Sequence, residues 1–539
     1  MDFAKVSATL KTVLRPTLAT SVVTWLVVGT VSLGLLLPVV RLLARWIRMY
    51  WILRHMKRPT RVCPGYWFVP ELIVVRYWID THLSMAARFF NFLEASAATY
   101  GENDLVVFFN GPQPLVVTVT PAAVEALVNS SNNINKPFIY HFMEPAMGTG
   151  LIVSERNSEA QRAPFHARNL DSYVPIMSRR LERFARKLEV INDSASGYFN
   201  IMAPVRAATF GVLMETVFGI SDIEDEEFEK KGHIKRMQTF CDGFISRICN
   251  VAYWWDFIYE FSSEGKNHHS VSRILRDYCR QIITARKEEL MDKGHVRNSM
   301  RSFLDILLQM HMQDETLTES EILDETITIL GAGFDTTASS AAFCLYLLGN
   351  HLEVQEKVHE ELDRVFGDDV DRPVTLDDLK DLPYLDCVIK ETLRLYPSVP
   401  VVARQIDEDM KIGKFQVNVK SMRSASEQLI PKGTVVATLI YFLQRHQKFY
   451  DEPNSFVPER FQENNGRHQY AYIPFFAGQR NCIGQRFAVL KAKVLVAQVM
   501  RRFKIESKFP ESELQLEIGI VLRPSQDLDV KLTRRNRSL

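Results

Sequence analysis

Phe475-Phe476-Ala477-Gly478-Gln479-Arg480-Asn481-Cys482-Ile483-Gly484 runs straight into an apolar helical pattern from Phe487 to Phe503, and this junction decides how the chain is read. Glycines at 478 and 484 permit a tight turn whose backbone can lie against a flat ligand. Arg480 adds a fixed positive charge two residues before the sulfur. A helix starting just beyond Cys482 aims unpaired N–H groups back at it, an arrangement expected to favour thiolate over thiol.

One thiolate cannot close a zinc site, which takes about four protein ligands in a structural role and about three in a catalytic one. It does suffice for a haem iron, whose porphyrin supplies the other donors and whose axial cysteine pushes electron density toward O–O cleavage. The 7 cysteines, at 63, 241, 249, 279, 344, 387 and 482, form no paired metal spacing and no disulfide framework. The string Phe-x-x-Gly-x-Arg-x-Cys-x-Gly resembles the haem-binding signature of the cytochrome P-450 superfamily at every fixed position. The resemblance implies iron protoporphyrin IX held by Cys482 as metal ligand, with Phe475, Gly478, Arg480 and Gly484 around the cofactor.

Thr318 and Glu321 make a capping-box pattern, and Ile322 to Leu348 then reads as a long buried helix without proline. Ala332-Gly333-Phe334-Asp335-Thr336-Thr337 interrupts it with a glycine, a carboxylate and two hydroxyls. Polar groups inside a core helix are costly unless satisfied, which marks a working site or threonines bonded back to carbonyls one turn earlier. The hexapeptide resembles the superfamily's distal helix. There Gly333 would open room for dioxygen, and Asp335 with Thr336 would guide protons, as a positioned acid and alcohol can.

Glu391 and Arg394, three apart on a helical stretch, can meet on one face. With Pro458-Glu459-Arg460-Phe461 they resemble the family's Glu-x-x-Arg and Pro-x-Arg-Phe elements, which implies a structural charge network of Glu391, Arg394 and Arg460 behind the cofactor. Arg404 matches a position that reaches a haem propionate, as would Arg480. The likeness is closest to the microsomal clan containing fatty-acid omega-hydroxylases, seen in Gly148-Thr149-Gly150-Leu151, Asp324-Glu325 and Val399-Pro400. Many of that clan carry a glutamate where this chain has Ala332, so no covalent haem link is expected.

The 539 residues are 46% hydrophobic with a formal net charge of +1, which gives no support to a nucleic-acid surface. Pro16 to Val40 lacks charge and exceeds the roughly 20 apolar residues that span a bilayer. It is followed by Arg41, Arg45, Arg48, Arg54, Lys57, Arg58 and Arg61, which places the bulk on the cytosolic side. A cleaved signal peptide is the rival, but the stretch exceeds the roughly 7 to 15 residues of such a segment. The expectation is a mainly α fold with a minor β portion: an anchor and basic linker over 1–58, then one large haem-thiolate domain over 59–539. Strands are expected at Asp104–Phe109 and Pro114–Thr120, and helices at Ile176–Asn192, Val271–Met291 and Ser302–Met312. Met310, His311 and Met312 read as core edge, and His446 as structural.

Two departures stand out. The family's Trp-x-x-x-Arg element is missing, with 154–165 shortened and only Arg156 or Arg162 left to stand in, and Val417–Gln428 is extra sequence. An imperfect gene reading is expected for one or both, against a tolerated insertion and a trimmed helix. Phe138, Tyr140, His141, Phe142 and Met143, with Val401, Val402 and Leu516 to Val521, imply an apolar pocket. The implied function is a membrane monooxygenase of the endoplasmic reticulum, drawing electrons from an NADPH-dependent flavoprotein reductase, since no flavin or nicotinamide fingerprint is present. The rivals are a haem-thiolate isomerase that needs no reductase and a haem-deficient inactive member.

Overall fold

The computed structural model describes residues 83–535, except 101–104, 111–112, 131, 134, 155–166, 196, 222–229, 293–301, 315–316, 417–424 and 463–465, and parts of 40–51. The chain divides into two compact units, 1–56 and 57–539. The expected anchor Pro16–Val40 lies outside the described residues apart from its last position, as does most of the basic linker. Among the described residues no helix is long and apolar enough to cross a membrane.

Helices dominate: α1 (Met85–Tyr100), α2 (Ala167–Ala195), α3 (Met202–Thr216), α4 (His233–Cys249), α5 (Ser263–Asp292), α6 (Glu319–Asn350), α7 (Leu352–Phe366), α8 (Pro383–Leu395) and α9 (Gln485–Met500). The organising element is α6. Thr318 accepts from the Glu321 N–H at 3.2 Å while the Glu321 carboxylate accepts from the Thr318 N–H at 2.8 Å, so the capping box satisfies the helix start. Beyond it the helix is buried at 322–330 and 337–349, as its apolar sequence requires, but only half-buried at 331–333 and 335–336. That notch coincides with the polar hexapeptide.

A four-stranded sheet takes the order β1-β2-β6-β3, where β1 is Leu105–Asn110, β2 Gln113–Thr118, β3 Val401–Gln405 and β6 Val435–Leu439. The β1–β2 pair is an antiparallel hairpin with Val107 opposite Val116, β2 runs parallel to β6, and β6 antiparallel to β3. The hairpin β4 (Met410–Gln416) and β5 (Ala425–Ile430) pairs Gln416 with Ala425, so the last part of the extra segment lengthens a strand pair. The helical reading Phe487–Phe503 needs correction at its end. The helix stops at Met500, and Phe503 opens β7 (Phe503–Ser507), paired with 530–534. Arg501 and Arg502 turn the chain there by donating to the carbonyls of Asp369, Val370 and Arg372. Tertiary pairing overrides a periodicity that apolar residues alone would have continued.

Candidate functional site

The loop before α9 is closed by the Cys482 N–H donating to the Phe475 carbonyl at 3.0 Å. Phe476 adopts φ 57 and Gly478 φ 77. A side chain at Gly478 would be strained, and its Cβ would meet the Val128 carbonyl at 3.0 Å, so glycine is required there. Gly484 has no such backbone need, but a Cβ on it would lie 4.0 Å from the Cys482 sulfur. Among the described free cysteines only Cys482 is exposed, while burial pushes Cys249, Cys279 and Cys344 up to about 12.

Crowding by the surrounding protein raises the Cys482 pKa above its ordinary value, and the single opposing influence is a hydrogen bond from the Gly484 backbone. Desolvation of the anion outweighs one N–H donor. With a metal bound, Cys482 would be the thiolate expected from its loop, since a coordinating thiol is ionised outright by the ion's own charge.

Three cations gather at this loop. Arg404 is buried, its guanidinium 4.7 Å from the Phe476 ring centroid, donating to the carbonyls of Ala403 at 2.8 Å and Arg480 at 3.3 Å. Lys136 donates to the Ile152 carbonyl at 2.5 Å. Burial lowers the Lys136 pKa to about 7, with further lowering from Arg404 and then Arg480. Burial likewise lowers that of Arg404, helped by Arg480. Within the described residues neither Lys136 nor Arg404 has a carboxylate partner, so the cluster is built to receive an anion. One exposed sulfur beside three converging cations fits a haem, which presents an iron and two propionates. Lys136 escaped the sequence reading: a lone lysine before Pro137 carries no motif. Arg156 and Arg162, the two residues expected to stand in for the missing Trp-x-x-x-Arg element, lie outside the described residues.

On α6, Asp335 and Thr336 do not bond to each other. The Asp335 carboxylate accepts from Arg206 Nε of α3 at 3.0 Å, both side chains nearly buried. Thr336 donates to the Ala332 carbonyl at 2.7 Å and Thr337 to that of Gly333 at 3.4 Å, the back-bonding alternative open in the sequence. Ser398 donates to the Thr336 carbonyl at 2.7 Å. A Cβ on Gly333 would meet Leu213 of α3 at 2.8 Å, so close helix packing is one reason for glycine there. Arg206, which is 129 positions from Asp335 in sequence, had no signal in the chain.

Glu391 and Arg394 have fully buried side chains, joined at 2.6 and 2.7 Å, and Glu391 also accepts from Arg460 at 3.0 Å and from the Val457 N–H at 2.9 Å. Arg394 spends its remaining donors on the carbonyls of Gln444, Pro453 and Ser455. The three residues thus form one network. The segment Gly148 to Leu151 meets α6 directly: Asp324 accepts from the Thr149 N–H at 2.9 Å and pairs with Arg276 at 2.8 Å, and Glu325 accepts from the Leu151 N–H at 3.3 Å. The aromatic run 138–143 is a 3-10 turn, with Phe138 5.0 Å from Trp254 and Phe142 4.1 Å from the Arg247 guanidinium. His311 bonds the Leu317 carbonyl at 2.8 Å.

The cytochrome P-450 family model matches residues 70–532. Among curated relatives, cytochrome P-450 4V2 of Homo sapiens is 36% identical over 469 residues, covering 83% of this chain and 86% of that protein. Cytochrome P-450 4c3 of Drosophila melanogaster is 33% identical over 453 residues, covering 79% and 81%. Probable cytochrome P-450 4ac1 of the same fly is 32% identical over 463 residues, covering 83% and 86%. The exposed cysteine, the cation cluster and these likenesses agree, and the chain belongs to the cytochrome P-450 family of haem-thiolate monooxygenases, with non-covalently bound haem.

Proposed function

We propose that the chain is a membrane-anchored monooxygenase that inserts one oxygen atom into an apolar substrate, with electrons from an NADPH-dependent flavoprotein reductase at the endoplasmic reticulum. The observation that carries it is the exposed Cys482 in the loop before α9, together with a half-buried notch bearing Asp335 and Thr336 on a helix that is otherwise core.

Haem, when bound, supplies oxygen activation with an electron-rich axial sulfur. Cys482 would be its ligand. Lys136, Arg404 and Arg480 would hold its propionates and, with those charges neutralised, their own mutual repulsion would be relieved. Arg206 orients the Asp335 carboxylate by donating to it from Nε, while Thr336 keeps its hydroxyl hydrogen on the Ala332 carbonyl until a better acceptor arrives. A carboxylate that can accept a proton and an alcohol that can donate one, adjacent in sequence and anchored to different partners, can relay a proton without first breaking a bond between themselves. The Glu391 network fixes the segment that leads to the cysteine loop, a structural role.

An apolar substrate is supported by the aromatic turn 138–143 packed on the end of α4. Membrane association is supported by Trp255, Phe257 and Phe261, which are 56%, 65% and 78% exposed. Solitary exposed apolar residues are ordinary, but three aromatics within seven positions suit a lipid surface. The test is spectral. Fatty acids, terpenoids and steroids are titrated into the haem-loaded protein, and one class is expected to shift the Soret band and to be oxidised only with reductase and NADPH. Turnover without reductase would defeat this reading in favour of an isomerase.

A further inference from the structure

Lys491 sits on α9, two turns after the helix leaves the cysteine loop, and its side chain is 0% exposed. Its Nζ donates to the carbonyl of Gly333 on α6 at 2.8 Å, and 5.1 Å away lies the ring of Phe487. Among the described residues no acid faces it. Burial alone moves its pKa, down to about 7. A leucine or methionine would fill this helix contact without desolvating an amine, a cost of several kcal/mol for an unpaired ion. Packing therefore does not account for lysine here.

The acceptor is the informative part. In a regular helix the Gly333 carbonyl takes the N–H of Thr337. Here it also receives Lys491 at 2.8 Å and the Thr337 hydroxyl at 3.4 Å. A carbonyl has two lone pairs, so three donors compete. A side chain that intrudes on the ladder draws the carbonyl outward and weakens the helical bond behind it. The turn that this carbonyl belongs to, 333–337, stays within the helix and carries Asp335 and Thr336.

We propose that Lys491 is a positioning residue: by claiming the Gly333 carbonyl it holds the acid–alcohol turn of α6 open, and it couples that turn to the helix that begins at the cysteine loop. Its consequence for turnover rests on the monooxygenase reading, whereas its structural content does not.

The experiment is Lys491→Met in the full, haem-loaded chain, read by hydrogen–deuterium exchange of peptides spanning 331–338. Methionine keeps the volume and removes the donor. The expected result is exchange about fivefold slower in that turn, the recovery of about one net hydrogen bond, with α6 peptides further along unchanged. A packing prop would do the opposite, since its loss loosens the helix. Lys491→Gln, shorter and uncharged, is the second variant and is expected to slow exchange by less. Faster or unchanged exchange in the variants that fold overturns the proposal. With reductase and laurate as probe, Lys491→Met is also expected to release at least about threefold more hydrogen peroxide per NADPH at an unchanged carbon monoxide spectrum. Slowed exchange with no laurate oxidation in either protein would support the positioning role and exclude laurate alone as substrate, and slowed exchange with unchanged peroxide release would overturn the link to turnover.

Discussion

Replacing Glu391 by glutamine removes the one negative charge that faces two guanidinium groups in the interior. Glu391 and Arg394 have 0% side-chain exposure and Arg460 only 12%, so water cannot take over the lost interaction. The carboxylate accepts bonds from Arg394 Nε and Nη2, Arg460 Nε and the Val457 N–H, and an amide can keep at most the acceptor half of these. Breaking one partner of a buried ion pair typically costs about 3 to 5 kcal/mol, a large part of the roughly 5 to 15 kcal/mol that holds a domain folded. The assay is haem content per polypeptide after purification, together with the urea midpoint at matched haem loading. Glu391→Gln is expected to lose most of its haem and to show a clearly lower midpoint, while Arg394→Lys, which keeps charge but not the planar fork, should fall between. A variant within about 1 kcal/mol of the parent with full haem loading would refute the reasoning, because that is the behaviour of a solvent-exposed pair.

Lys136→Met should weaken haem retention while leaving the urea stability of the haem-free chain the same or higher. Burial and like charges hold Lys136 near 7, below its ordinary value, so between about pH 7 and 10 the folded haem-free state binds fewer protons than the unfolded one and this group's contribution favours folding as pH rises. A propionate partner raises that pKa, so haemin added to the haem-free protein near pH 8 to 9 should take up a proton, measured in weak buffer, and Lys136→Met should abolish the uptake. Asp324→Ala removes the anchor of the Thr149 N–H and the partner of Arg276, and faster amide exchange at 148–151 is expected without loss of the thiolate-type spectrum. Asp335→Asn is expected to slow oxidation about 10²-fold, at the low end for a positioned acid, with a changed solvent isotope effect and normal substrate-binding spectra.

The parts of this architecture that were legible in the sequence are those set by local chemistry. The glycine at 478 needs its positive φ, the capping box at Thr318 satisfies its own helix start, and Glu391 with Arg394 are close enough in sequence to meet on one face. What stayed hidden depends on folding distant segments together. Arg206 reaches Asp335 from another helix, Lys136 joins Arg404 and Arg480 from a loop with no motif, and the Gly333 carbonyl is claimed from α9. Asp324-Glu325 and Gly148 to Leu151 were each noticed, but only the packed structure shows that one anchors the other. What the sequence did not show at Cys482 is the desolvation that opposes its ionisation: charge and helix direction can be read locally, whereas desolvation is a property of the whole surrounding protein.

The most direct test of the account is the carbon monoxide difference spectrum of the reduced protein and of Cys482→Ala. The parent is expected to give a thiolate-type Soret band, and the variant to lose it together with substrate oxidation. A variant that kept both would show that another group holds the iron.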